Sequence, residues 1–281
     1  MRYYTLQIDG KEQVAASADG QALFLLPDFP DMNALIEAGG ISEIPADAPE
    51  AGPGAVVLAP IPRPRQDILC LGINYAAHAE ESARFSQAAF GGDRPYPIFF
   101  SKRTAWCPGP GAPIPSHADI VDSLDYECEL GVVIGKAASR VSRAEAGAHV
   151  FGYTIVNDVS ARNLQTRHKQ WYFGKSLDGF TPMGPCIVSA DEFAFPPALP
   201  IRCRVNGELR QNSTTDLLIT SIPEIIEMVS QGMTLTAGTV IATGTPAGVG
   251  MGMEPPQFLK AGDLVTCEIE GIGILENRVA D

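Results

Sequence analysis

Basic side chains are scarce in this 281-residue chain: 20 Lys and Arg stand against 33 Asp and Glu, a net charge of −13 at pH 7. That balance excludes the kind of basic surface that holds nucleic acid or an anionic membrane. It leaves room for a small anionic substrate, because a bound cation can reverse the field inside a cleft. Paired cysteines are missing too. Cys70, Cys107, Cys128, Cys186, Cys203 and Cys267 are scattered with no CxxC spacing, so neither a zinc site nor a disulfide framework is indicated. They read as small buried hydrophobes. No uncharged apolar run is long enough to span a membrane, and Met1-Arg-Tyr-Tyr-Thr-Leu6 lacks the apolar stretch of a secretion signal. A cytoplasmic, reducing setting is expected. No internal repeat is visible.

The hydrophobic fraction of 45% and charged fraction of 19% are those of a globular protein. The length suits one large domain with a small appendage. Residues 1–65 read as that appendage plus a linker. Tyr3–Ile8 alternates, Asp9-Gly10 is a turn signal, and Gln13–Ala16 returns as a hairpin. Met32–Ala38 predicts a short helix closed by Gly39-Gly40, and Ile44–Arg65 is rich in Pro and Gly. Residues 66–281 form one continuous domain of short apolar strands: Ile68–Leu71, Ile98–Phe100, Leu130–Ile134, Phe151–Val156, Cys186–Val188, Ile201–Val205, Val240–Ala242 and Leu264–Ile269. Helix candidates are few. Ser142–His149 opens with a capping-box pattern, and Ile222–Gln231 carries Pro223 near its start. The chain is therefore expected to be α+β and strand-rich.

Glu127 and Glu129 lie in Asp125-Tyr-Glu-Cys-Glu-Leu-Gly-Val-Val-Ile134. On a strand, residues two apart share a face, so both carboxylates project together while Cys128 and Leu130 point away. Such neighbours repel unless a cation or a proton lies between them, and Mg²⁺ with oxygen ligands answers that need. Read alone, the pair fits a solvated strand end equally well. Asp158 follows the apolar run Phe151–Val156, placed to be a third oxygen ligand or to cap a helix from Ser160 onward. His78 and Glu81 are three apart and meet if their segment is helical, as a general base requires, or else form a surface pair. The stretch from His78 to Pro95, with Gly91-Gly92 and no strong apolar stripe, is expected to order only with substrate. Thr243-Gly-Thr-Pro-Ala-Gly-Val-Gly250 lacks the GK[ST] ending of a phosphate loop.

Five motifs in order now combine: Asn74-Tyr75 with His78 and Glu81; Asp125-Tyr-Glu127-Cys-Glu129; Asn157-Asp158-Val-Ser-Ala-Arg162; Gly174-Lys175-Ser176; and Ala242-Thr-Gly-Thr-Pro-Ala-Gly-Val-Gly250. Over roughly residues 65–281 the chain resembles the fumarylacetoacetate hydrolase family. The resemblance implies a mixed β-roll with a small N-terminal domain, a homodimer, and Mg²⁺ or Mn²⁺ held by Glu127, Glu129 and Asp158. It implies a water-activating dyad of His78 and Glu81 on a lid, and oxyanion stabilisation by Lys175. Arg162, Gln165 and Thr245 match substrate-contacting positions. Two residues depart from common members: Asn163 stands where many have Asp, and Ile73 where some acylpyruvate-cleaving members have Arg. The implied substrate is a small anionic 2-oxo acid. The expected reaction is hydrolysis of a C–C bond in a 2,4-dioxo acid to pyruvate and a carboxylic acid. Decarboxylation of oxaloacetate, or isomerisation of an unsaturated oxo-dicarboxylate, uses the same groups.

Overall fold

The computed structural model describes residues 1–93 and 95–281. The β-branched run expected at Leu130–Ile134 lies in the strand Cys128–Ile134, buried along its whole length. It sits inside a mixed ten-stranded sheet. The strand order is Phe24–Leu25, Lys11–Ser17, Arg2–Ile8, Met183–Ser189, Val150–Asn157, Cys128–Ile134, Val240–Ala242, Ile68–Gly72 and Ile98–Lys102. Val56–Val57 pairs beside Arg2–Ile8, off this path. Neighbours are antiparallel except Val240–Ala242 against Ile68–Gly72. A five-stranded sheet orders Glu208–Thr214, Pro200–Val205, Leu264–Ile269, Gly273–Ala280 and Ile114–Pro115.

The two sheets enclose the larger core. Cys128, Leu130 and Val132 face it from the first sheet, and Cys203, Cys267 and Leu275 from the second. On the opposite face, Val133, Val156 and Met183 pack in a second cluster with Leu35 and Ile36 of the helix Met32–Glu37. This two-sided burial explains a near-continuous apolar sequence rather than an alternating one. All six cysteines are free and buried. The hairpin at Asp9-Gly10 turns with positive φ at both residues, as tight primed turns require. Residues 1–65 join the main sheet through Arg2↔Val188 and Tyr3↔Ile187. Among the described residues no helix is long and apolar enough to cross a membrane.

Two local expectations are corrected. Ser142–His149 is not an α-helix: only Ala146–His149 forms a 3₁₀ turn, although Ser142 does bond Glu145. Gly147 packs where a Cβ would stand 2.9 Å from the Phe195 ring, so close packing sets this segment's path rather than helix propensity. The segment after Asp158 first pairs Ser160 with Asp125 and turns helical only over Arg162–Arg167. The stretch from His78 to Pro95, apart from Arg94, which lies outside the described residues, holds helices Ala76–Phe85 and Gln87–Phe90. Phe90 supplies a buried apolar anchor that the pattern did not show, packed with Val249 and Met251.

Leu130 is fully buried between the sheets. Leu130→Ala should lower unfolding free energy by about 2–5 kcal/mol, the usual cost of such a cavity. Urea denaturation followed by circular dichroism checks this; a loss within error of zero would contradict the packing described.

Candidate active site

Strand register builds the site. Val156 pairs with Glu129 and Asn157 with Cys128, which brings Asp158, one residue past its strand, beside Glu127. The backbone N–H of Asp158 donates to the Glu127 carbonyl at 2.8 Å, and that of Glu127 to Asn157 Oδ1 at 3.1 Å. Glu127, Glu129 and Asp158 each offer an oxygen, and these oxygens lie within 4.8 Å of one another. All three side chains are buried.

Cations reach two of them. Lys175, closing the short helix Tyr172–Lys175, donates to Glu127 Oε2 at 2.8 Å and Asp158 Oδ2 at 2.7 Å. Lys102, ending the strand Ile98–Lys102, donates to Asp158 Oδ1 at 2.5 Å and the Val159 carbonyl at 3.0 Å. Arg162 places Nη2 2.7 Å from Glu127 Oε1, and its Nε donates to Asp125 Oδ2 at 2.9 Å. Among the described residues Glu129 has no such partner and accepts only from the Gly244 N–H, at 2.8 Å.

The electrostatics follow. Burial works against the Glu127 carboxylate, but Lys175 and Arg162 overcome it and hold its pKa well below the usual range. Glu129 goes the other way: burial, then Asp158 and Glu127, push its pKa well above the ordinary value. Four buried carboxylates, Asp125, Glu127, Glu129 and Asp158, thus face three buried cations, Lys102, Arg162 and Lys175. The carboxylates outnumber these cations by one, an excess that the upward shift of Glu129 lets a proton offset, and the donors of the cluster are all oxygen. That donor set fits a hard divalent ion.

The dyad lies across the cavity. On the helix Ala76–Phe85, His78 Nδ1 is 2.8 Å from Glu81 Oε1, both side chains buried. Glu81 also accepts from the Gly248 N–H, at 3.0 Å to Oε2. Gly248 has φ +104°, and a Cβ there would stand 1.9 Å from the Arg210 carbonyl, so glycine alone permits this approach. An ionised Glu81 fixes the imidazole proton on Nδ1 and leaves Nε2 as an acceptor, with Ser82 Oγ 3.5 Å away. His78, Glu127, Glu129, Arg162, Gln165, Lys175 and Thr245 line one cavity of about 10 Å³, a single water's worth of space.

Among the other residues singled out by sequence, Gln165 Oε1 accepts from Arg162 Nη1 at 3.1 Å. Thr245 Oγ1 spends its proton on the Cys128 carbonyl at 3.0 Å and accepts from Gln211 at 2.7 Å. Asn163 donates to the Ile120 carbonyl rather than joining an ion pair. Ile73 lines the cavity with an apolar side chain. Sequence reasoning missed Lys102 and Trp171. A lysine closing the apolar run Ile98-Phe-Phe-Ser was the one available signal for the first.

Comparison with known proteins identifies the family. Residues 67–280 match the model of the fumarylacetoacetate hydrolase C-terminal region. The oxaloacetate tautomerase YisK of Bacillus subtilis is 50% identical over 222 residues, covering 79% of this chain and 72% of that protein. A fumarylacetoacetate hydrolase from Exiguobacterium antarcticum superposes with a TM-score of 0.87 at 40% identity, covering all of this chain and 99% of the other. A 2-hydroxyhepta-2,4-diene-1,7-dioate isomerase from Mycobacterium marinum gives a TM-score of 0.76 at 30% identity, over 100% and 98% of the two chains. With its strand-rich α+β architecture and this span of matched sequence, the chain belongs to the fumarylacetoacetate hydrolase family of enzymes.

Proposed function

We propose that this enzyme moves a proton on a small anionic 2-oxo acid, and that keto–enol conversion of oxaloacetate is its principal reaction. The observation that carries the reading is that His78, held by the buried Glu81, lines the same cavity as Glu127 and Glu129, with Asp158 clustered beside those two. The resemblance to an oxaloacetate tautomerase and to an isomerase supports proton transfer over bond hydrolysis. Glu127, Glu129 and Asp158 would hold Mg²⁺ or Mn²⁺, which when bound polarises the substrate's carboxylate and 2-oxo group. His78 Nε2 takes the C3 proton as general base, and Glu81 stabilises the imidazolium that results. Lys175 and Arg162 bring positive charge to the developing oxyanion, and Gln165 and Thr245 shape the substrate's seat.

Hydrolysis of an acylpyruvate is the second reading. It is favoured by the water-sized cavity beside the dyad, where His78 would deprotonate water instead of C3. Pyruvate and acid release from 2,4-dioxo acids, measured against C3 hydrogen exchange in D₂O, separates the two. The reading carries a homodimer in the cytoplasm with it. Exposed Leu217, Ile219 and Met233 support burial of further apolar surface, and sedimentation at the monomer mass would contradict it.

His78→Gln should slow C3 exchange by about 10²–10⁴, the usual contribution of a general base. Cation affinity should stay unchanged. Near-wild-type exchange in that variant would overturn the proposed role.

Glu129 yields a second test. Its raised pKa means that the cation-free protein gains stability below that pKa and loses it as pH climbs through it. Adding Mg²⁺ should therefore raise the melting temperature more at pH 8 than at pH 5, and calorimetry in buffers of different ionisation enthalpy should show protons released on binding. Glu129→Gln should abolish both the release and the pH dependence. Equal stabilisation at both pH values would contradict a shared cation site.

A further inference from the structure

We propose that a second small-molecule site lies at the far end of the strands that carry the carboxylates, and that it takes a zwitterionic amino acid with an aromatic side chain. Strands Cys128–Ile134 and Val150–Asn157 run antiparallel, with Asn157 opposite Cys128 at one end and Val150 opposite Ile134 at the other. The rise of an extended chain puts that second end roughly 20 Å from Glu129. A groove of about 740 Å³ opens there, and none of the residues around the catalytic cavity lines it. Small-ligand sites have volumes of about 300–1,000 Å³.

Opposite charges flank the groove. In the sheet, Val150–Asn157 lies between Cys128–Ile134 and Met183–Ser189. Lys136 follows the first neighbour and Asp191 the second, so their backbones stand two strand spacings apart, roughly 10 Å. Both line the groove, and among the described residues neither forms an ion pair. Asp191 accepts from Ser189 Oγ at 2.5 Å, while the other rim acid, Glu192, takes the Met1 amine. The base of the Lys136 arm is fixed: the Gly135 N–H donates to the His149 carbonyl at 2.8 Å, and His149 Nδ1 to the Lys136 carbonyl at 3.1 Å. Between the charges the walls are aromatic. Tyr3 and Phe151 pack with centroids 5.3 Å apart, and Phe195 is exposed at the rim. Tyr153 lines the groove fully buried, yet its hydroxyl has no partner among the described residues. Burial pushes its pKa up and keeps it a proton donor, and an unmade hydrogen bond there is costly. A carboxylate beside Lys136 and Tyr153, an ammonium beside Asp191 and a ring against Phe151 and Phe195 would use every one of these features. A simple anion would leave Asp191 opposed, and an apolar molecule would leave both charges unserved.

Calorimetric titration of the full chain with L-phenylalanine, phenylacetate, 2-phenylethylamine and L-alanine tests the assignment. L-Phenylalanine should bind, and each of the others about ten-fold more weakly or worse, because each lacks one charged group or the ring. Lys136→Met should weaken L-phenylalanine by about ten-fold and leave 2-phenylethylamine unchanged. Asp191→Asn should weaken L-phenylalanine and leave phenylacetate unchanged. Tyr153→Phe, which keeps the ring, should weaken the two aromatic probes that carry a carboxylate. Absence of L-phenylalanine binding at about 10 mM would overturn the site, as would affinities that ignore these substitutions in folded variants. Glu129→Gln, at the other end of the strands, should leave the L-phenylalanine affinity as it is; a loss there would place the amino acid at the carboxylates instead and overturn the groove. A fall in sedimenting mass for Phe195→Glu would also overturn it, because the groove would then be a contact between two copies of the chain.

Discussion

Everything at the centre of this molecule depends on holding like charges together out of water. Glu127, Glu129 and Asp158 are buried at the junction of two paired strands, where an unpaired carboxylate is costly. The fold answers with Lys102, Lys175 and Arg162, each brought from a different segment. Removing one member of such a network leaves its partner uncompensated, which costs more than the pair contributes. The long, two-sided core is the counterpart of this arrangement, because an apolar frame such as Leu130 and Val132 around Glu129 fixes the carboxylates in one geometry.

The same network ties the rigid sheet to the segment above it. Asp125 accepts from Arg162 on one side and from the Gly250 and Met251 N–H groups on the other, at 2.7 and 3.0 Å. Two residues earlier in that glycine-rich loop, the Gly248 N–H holds Glu81, which in turn orients His78. The positions of His78 and of the carboxylates are therefore set through one loop whose close approaches only glycine allows. The loop that superficially suggested a phosphate cradle spends its N–H groups on protein carboxylates instead.

How much of this was legible in the sequence follows from the range of each interaction. The shared face of Glu127 and Glu129 is a local consequence of strand periodicity and could be read directly. So could the helix Ile222–Ser230, whose apolar spacing and Pro223 agree with its tertiary setting, and where Ser221 and Glu224 complete a capping box. Asp158 was ambiguous by itself, because its approach to Glu127 depends on the pairing of residues nearly thirty positions apart. Lys102 was invisible for the same reason at longer range. Ser142 and Glu145 show the converse: the local signal is satisfied, yet Gly147 against Phe195 dictates the path. Phe90 escaped notice since one anchoring ring makes no stripe.

Charge also orders the events at the site. Four buried carboxylates stand against three cations among the described residues, and the upward shift of Glu129 lets a proton offset the excess, so that without a cation the pocket has no positive charge to draw in an anionic acid. A divalent cation that displaced the Glu129 proton would leave a net positive charge of one, and on the reading proposed above the same pocket would then attract the acid. Cation before substrate is the sequence this balance favours. A net charge of −13 is then no bar to the anionic ligand proposed above: the field that matters is set inside the cavity, where low dielectric makes one charge outweigh many on the surface.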